Sequence, residues 1–359
     1  MPGSKGVPGP KGMPGPEGVP EPERVPEPEG VPEGAAGERA GARAGARSTG
    51  VEAPRPAATD QNRAPDAQGT ALGVDIGGTK IAVALTRGAE IAEHRVAPTP
   101  VDDLPALIEA VDVLVQPYLA RFEVASVGVC APGLVDPSTG LIGHCANVPA
   151  IIGVPLEALL SERLGVEVRV ENDANAAAYA EHRFGAARAW RASFFLTVST
   201  GVGGGYVSEH GLHRGRRGYA ADVGHITLVQ DGRRCSCGER GCVEAYSSGK
   251  AVAERASEAY GRLVSTREAF ALAREGDPVA TGIVADAARA LATALMTVTK
   301  VVDPDGLVIG GGVAANEPWF VDQIRAHLDA ALLTYRPVPL AVAQLGDRAG
   351  VIGAASLSR

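Results

Sequence analysis

No phenylalanine, tryptophan or tyrosine occurs in the first 69 residues of this 359-residue chain. That stretch is crowded instead with Pro, Gly, Glu, Ala and Arg. A segment so poor in large apolar side chains cannot bury enough surface to offset its chain entropy, which excludes a core of its own. Residues 3 to 20 run as six Gly-x-y triplets, from Gly3-Ser4-Lys5 to Gly18-Val19-Pro20, but the period fails at Glu21 and six triplets make a very short triple helix. The expectation for 1–69 is a disordered, solvated, polyproline-like tail. Deleting residues 1 to 69 is therefore expected to leave turnover and melting temperature nearly unchanged. A large loss of either in the truncated protein would mean that the tail docks on the rest of the chain.

Other absences narrow the class further. No apolar run approaches the roughly 20 residues of a membrane span. The amino terminus has no basic segment followed by an apolar one, so no signal peptide is read there. Positive charge is not in excess: 34 Lys and Arg stand against 42 Asp and Glu, for a net charge of -8. That balance argues against a general nucleic-acid or anionic-membrane surface. Cysteine is scarce, with five residues, and nothing suggests an oxidising compartment, so a cytoplasmic protein is expected.

From Thr70 onward the pattern becomes α/β, and the remaining length suits two domains. Ala71 to Ile76 and Ile81 to Leu85 read as a strand pair joined by a glycine turn, with Glu90 to Val96 as a third strand. Helices are expected over Val101 to Phe122, Pro155 to Leu164 and Ala174 to Phe184, and strands over Ala125 to Cys130 and Val166 to Val170. The theme then repeats. Ser193 to Ser199 is a strand, Thr200 to Gly205 a turn, and Tyr206 to Ser208 a returning strand. Helices follow through Ser248 to Thr299. A strand at Gly306 to Ile309, a glycine run, a helix from about Pro318, a strand within Val338 to Leu345 and a closing helix over Val351 to Leu357 complete the chain. Two such units point to a duplicated α/β core with a cleft between its halves.

Three of the five cysteines fall within the eight positions Cys235 to Cys242, and His225 stands ten positions before the first. Three thiolates and an imidazole make a closed tetrahedral zinc set: His225, Cys235, Cys237 and Cys242. Gly238 and Gly241 permit the tight bends this needs. A disulfide would leave an odd cysteine, and buried free cysteines rarely crowd a Gly- and Arg-rich loop. Such a staple would hold Asp222 and Glu244 in place beside His225. Cys130 ends an apolar run and reads as a buried small hydrophobe.

Three glycine-rich segments suit phosphate. In Asp75-Ile76-Gly77-Gly78-Thr79-Lys80 the backbone can approach phosphate oxygens closely; Thr79 and Lys80 can donate to them, and Asp75 can hold a Mg²⁺-bound water. Thr200, Gly201, Gly203 and Gly204 offer a second nest, and Gly311 and Gly312 a third surface before a helix, suited to adenosine. Neither a Walker loop nor a Gly-x-Gly-x-x-Gly turn is present. Each segment alone also fits an ordinary hairpin; together they point to a nucleotide.

These residues resemble the ROK family, which groups bacterial sugar kinases with related transcriptional repressors. The likeness rests on Asp75 to Lys80, on Glu171-Asn172-Asp173-Ala174-Asn175-Ala176-Ala177, on Ser199 to Gly205 and on His225 to Glu244, and it covers residues 70 to 359. It implies a two-domain actin-like ATPase (ribonuclease H-like) fold. A small α/β domain over 70–177 would be completed by the carboxy-terminal helix, 346–359, and a large domain over 178–345 would carry the zinc loop. On spacing alone Asn172 or Asp173 suits a helix N-cap; the resemblance makes Asp173 the catalytic base. It also implies that Asn172, Asp222, His225 and Glu244 bind the sugar. Asp222 stands where the family kinases usually carry Glu. Family repressors have a DNA-binding segment before the kinase-like part, whereas 1–69 shows no amphipathic helices. The resemblance thus implies a hexokinase-type enzyme with ATP, Mg²⁺ and structural Zn²⁺, most simply a glucokinase, with an N-acetylmannosamine or other amino-hexose kinase as the alternative. A homodimer or homotetramer without nucleic-acid or membrane partners is expected.

Overall fold

The structure, a computed structural model, describes residues 69–145, 147–332 and 336–357. The tail expected over 1–69 therefore lies outside the described residues except for Gly69, as do the last two residues of the carboxy-terminal segment.

The first sheet is built from β1 (Ala71–Ile76), β2 (Lys80–Arg87), β3 (Glu90–Pro98), then α1 (Leu104–Leu119), β4 (Ser126–Ala131), α2 (Leu156–Leu164) and β5 (Glu167–Asn172). Its strand order is β3-β2-β1-β4-β5, with β1 and β2 antiparallel and β1, β4 and β5 parallel. The start of α1 is set by Asp103, whose carboxylate accepts the Ala106 N–H at 3.0 Å. Leu107, Val111 and Val115 on α1 and Leu156 and Leu160 on α2 bury against Leu72, Val74 and Val129 of the sheet.

After α3 (Asp173–Phe184) the second half repeats the first. It comprises β6 (Ser193–Val198), β7 (Val202–Ser208), β8 (Gly211–Leu212), α4 (Glu244–Ser247), α5 (Gly249–Tyr260), α6 (Thr266–Arg274), α7 (Pro278–Val302), β9 (Gly306–Gly310), α8 (Gly311–Asn316), α9 (Pro318–Ala331), β10 (Leu340–Val342) and α10 (Ala349–Leu357). The order β10-β9-β6-β7-β8 is the same hairpin followed by two parallel crossovers as in the first sheet. The duplication expected from the sequence is thus present in the strand topology. α10 returns to pack on α3, β1 and β4. Its approach is close because Gly128 has no side chain: a Cβ there would lie 1.8 Å from the Ala354 carbonyl oxygen.

One expectation needs correction. The glycine run after β6 is not all turn. β7 begins at Val202, and Gly203, Gly204 and Gly205 pair in register with Thr197, Leu196 and Phe195. Gly203 and Gly205 are small because α3 lies on their face of the strand: Cβ atoms there would sit 3.1 Å and 2.4 Å from those of Ala174 and Ala178. A Cβ on Gly204 would instead meet the Ala221 carbonyl oxygen at 2.7 Å. α7, at 25 residues, is long and apolar enough in composition to cross a bilayer, although no uninterrupted apolar run marks it. It serves as the central helix of the second core instead, with Ile283, Leu291, Leu295 and Val298 buried among Phe270, Phe320, Ile324 and Leu328.

Candidate active site

The junction of β5 and α3 holds Asn172 and Asp173, which the resemblance implicates in the chemistry. Asn172, not Asp173, is the N-cap: its Oδ1 accepts the Asn175 N–H at 3.0 Å. Its Nδ2 donates to the Gly133 carbonyl at 2.9 Å and to Asp173 Oδ1 at 3.1 Å. Asp173 Oδ1 also accepts the Ala174 N–H at 2.8 Å. Asp173 is thereby released from capping, and the residue is exposed. Packed protein on its other sides still hydrates it poorly. That desolvation, reinforced by the neighbouring Asp75 carboxylate, raises its pKa to about 6.

Asp75 lies near the end of β1, in register with Cys130 on β4. Burial lifts its pKa as well, while a hydrogen bond with the Cys130 thiol and the Lys80 charge oppose the rise. Burial and the nearby carboxylates hold that thiol protonated, so its S–H donates to Asp75. Cys130 is fully buried, as expected from the sequence, but it is a hydrogen-bond donor rather than a mere space-filler.

The glycine segments fall on the two halves. In the first turn Gly77 N–H is spent on the Lys80 carbonyl at 2.9 Å, while Gly78, Thr79 and Lys80 are exposed. In the second half the connection from β6 to β7 is only Ser199 to Gly201, closed by Ser199 N–H on the Gly201 carbonyl at 2.9 Å. Gly203 and Gly204 belong to β7, so of that segment Thr200 and Gly201 alone sit in the turn. Gly311 opens α8 at φ +88°, and Gly312 is exposed; a Cβ on Gly312 would stand 3.7 Å from Ser199 Oγ. The second and third segments therefore adjoin one another at the ends of β6 and β9.

His225, Cys235, Cys237 and Cys242 come together, with one ligand atom from each lying within 4.8 Å of all the others. His225 Nδ1 is 3.7 Å from Cys235 Sγ, and Cys237 Sγ is 3.8 Å from Cys242 Sγ. Tetrahedral zinc with Zn–S of about 2.3 Å sets its sulfurs roughly 3.8 Å apart, so the cluster fits that ion. Gly238 and Gly241 take φ of +97° and +79°, the left-handed turns the loop requires. Glu244 follows directly. Its Oε2 accepts Val202 N–H at 3.0 Å and its Oε1 the Ser236 hydroxyl at 2.7 Å, which fixes the carboxylate between the metal loop and the β6–β7 turn. Asp222 precedes the short turn Val223–His225. Burial raises its pKa, opposed by the charge of His225 and supported by that of Glu244. His225, Asp222 and Glu244 are thus neighbours, as the spacing suggested.

Between the hairpin that starts at Gly133 and the segment before Asp222 opens a cavity of about 620 Å³, lined by Leu134, Leu141, His144, Arg216, Arg217 and Tyr219. One further contact has no local signal in the sequence: an ion pair from Arg214 Nε to the buried Glu171 carboxylate.

If Asp173 is a general base, its sign is simple. The group acts only when deprotonated, so kcat/KM should rise about tenfold per pH unit below about 6 and level off above it. Initial rates between about pH 5 and about pH 8 read this limb directly. A profile flat down to about pH 5 would assign the titrating group elsewhere.

The ROK family profile matches residues 71–359. A glucokinase of Streptomyces coelicolor is 34% identical over 313 residues, which span 81% of this chain and 98% of the relative. An N-acetyl-D-glucosamine kinase of Shigella flexneri is 37% identical over 305 residues, 79% of this chain and 98% of the relative. The crystal structure of a ROK family glucokinase from Streptomyces griseus in complex with glucose and AMPPNP superposes with a TM-score of 0.71 at 35% identity, covering 81% of this chain and 99% of that one. With its duplicated sheets of actin-like ATPase type and the match over its whole described part, this chain belongs to the ROK family.

Proposed function

We propose that this ATP-dependent sugar kinase of the ROK family phosphorylates the 6-hydroxyl of a hexose, with glucose as its preferred substrate and Asp173 as the base. The observation that carries the reading is the Asp173 carboxylate, exposed at the β5–α3 junction and raised to about 6 by poor hydration and the neighbouring Asp75. A base near neutrality takes a hydroxyl proton as the oxygen attacks the γ-phosphorus and still ionises readily at physiological pH. The hydroxyls of a neutral sugar are donors, and Asp222 and Glu244 are acceptors that suit them. Asn172 spends its amide on Gly133 and Asp173, so its share in sugar binding falls to its oxygen's second lone pair. His225 turns Nδ1 toward the thiols, which leaves Nε2 for a sugar hydroxyl.

Gly78, Thr79 and Lys80 from the first half, and Thr200, Gly201, Gly311 and Gly312 from the second, bind ATP. The division into 70–177 with 346–359 and 178–345 leaves the nucleotide mainly on the larger part. Asp75 is suited to hold a water of a magnesium ion, which would supply positive charge to the transferring phosphoryl group when bound, and Asp173 stays free as the base. Zinc on His225, Cys235, Cys237 and Cys242 serves as a staple for the loop and supplies no step. Cleft closure excludes water and so limits ATP hydrolysis.

An amino-hexose is the second reading, favoured by the 37% identity to an N-acetyl-D-glucosamine kinase and by the cavity beside Asp222. Comparing kcat/KM for glucose, mannose, N-acetylmannosamine, N-acetylglucosamine and glucosamine at fixed ATP decides. Glucose is expected to lead by at least about tenfold, or about 1.4 kcal/mol of differential transition-state binding. A lead for an N-acetylhexosamine replaces glucose with the second reading, and no turnover on any of the five overturns both.

A further inference from the structure

The buried carboxylate of Glu171 is only 6% exposed. Oε1 accepts two donors from the start of α3: the Asn172 N–H at 2.9 Å and the Asn175 Nδ2 at 2.9 Å. Oε2 pairs with Arg214 Nε. Glu171 lies on β5, the edge strand of the first sheet, one residue before its last, Asn172. Arg214 follows β8, the edge strand of the second sheet. From Arg214 the chain runs as a strap, closed by Ala220 N–H on the Arg214 carbonyl at 3.3 Å, directly into Asp222 and His225. One ion pair, between residues 43 apart in sequence, therefore joins the peptide that carries the proposed base to the segment that carries the proposed sugar ligands.

We propose that Arg214 is a positioning residue for phosphoryl transfer: through Glu171 it fixes the β5–α3 peptide that holds Asn172 and Asp173 and sets it against the strap leading to Asp222 and His225. The proposal rests on Asp173 being the base. The guanidinium touches no reacting atom. Its planar donors hold the carboxylate in one orientation, and the carboxylate holds the Asn172 peptide. A base displaced by a fraction of an ångström loses rate steeply, because proton transfer and in-line attack need near-contact geometry.

The test compares the parent with Arg214→Met, Arg214→Lys and the double variant Glu171→Gln/Arg214→Met in the full-length protein. For each, kcat, KM for sugar and for ATP and the melting temperature are measured. Arg214→Met should lower kcat by about tenfold or more with KM for ATP within about twofold, since the nucleotide segments are untouched. Its melting temperature should also fall, because Glu171 is left buried without its partner. In the double variant the melting temperature should recover while kcat stays low, because the buried charge has gone but the tether is still missing. Arg214→Lys should show an intermediate kcat. Parent-like kcat in Arg214→Met overturns the proposal. So does a kcat that recovers together with the melting temperature in the double variant, which is the pattern of a purely structural pair. If Arg214→Met does not fold, the double variant and Arg214→Lys decide by the same readings. Failure of the underlying reading shows separately, as full turnover by Asp173→Asn in an otherwise parent background.

Discussion

Asp173→Asn is expected to lower kcat by at least about 10²-fold, the low end for removing a general base, while fold and sugar affinity are kept. The structure makes this variant cleaner than sequence reasoning could. The helix cap is Asn172, so replacing Asp173 leaves the capping bond to Asn175 intact. An amide oxygen at position 173 can still accept from Ala174 N–H and from Asn172 Nδ2. What disappears is a charge that burial and Asp75 already disfavour, so the melting temperature should stay level or rise slightly. Turnover in a coupled assay, sugar affinity by calorimetry and melting temperature on one preparation separate the possibilities. Parent-like turnover would remove Asp173 from the mechanism, and a collapsed melting temperature would mean that its role is structural.

Serine in place of Cys235, Cys237 or Cys242 is expected to release the metal and with it most of the activity. The loop from His225 to Glu244 has little core of its own: Cys235, Cys242 and Ala245 form a small separate cluster with Cys237 and Tyr246. Its geometry depends on the ligands, and a structural zinc contributes on the order of 10 kcal/mol of apparent binding free energy. Without it, His225 and Glu244 lose their common frame, and Glu244 is also the partner of Val202 N–H beside the β6–β7 turn. A fall in kcat/KM of about 10²-fold is the expected scale for a misplaced binding group and turn. Elemental analysis should give about one zinc per parent chain, as a single four-ligand site allows, and none in the serine variants. A metal-free and fully active preparation would falsify the staple.

Local signals in the sequence were enough for most elements. The short apolar runs and glycine break around Ala71–Ile76 and Lys80–Arg87 specify a hairpin, and the Cys235 to Cys242 spacing specifies a cluster of metal-ligating side chains, because both depend on residues near in sequence. The repeated strand-turn-strand pattern likewise led to two sheets of one topology. What was missed depends on pairing between distant segments. Nothing in the Thr200 to Gly205 run says that α3 lies across β7, so its glycines read as a turn when Gly203 and Gly205 make room for that helix. Cys130 reads as apolar until β4 is laid beside β1, which sets its thiol against Asp75. Asn172 and Asp173 are equally good caps by composition, and only the backbone at the end of β5 chooses between them. The Glu171–Arg214 pair has no local pattern at all, because Glu171 lies on the edge strand of one sheet and Arg214 just beyond the edge strand of the other.

The measurement that bears most directly on the whole account is the product of the full-length protein incubated with glucose, ATP and Mg²⁺. Glucose 6-phosphate, read with a 6-phosphate-specific dehydrogenase, and ADP, read independently, should appear one for one, because a closed cleft transfers the γ-phosphoryl group to the 6-hydroxyl and not to water. ADP released without sugar phosphate, or phosphate found on another hydroxyl, would contradict the geometry assigned to Asp173 and the cleft.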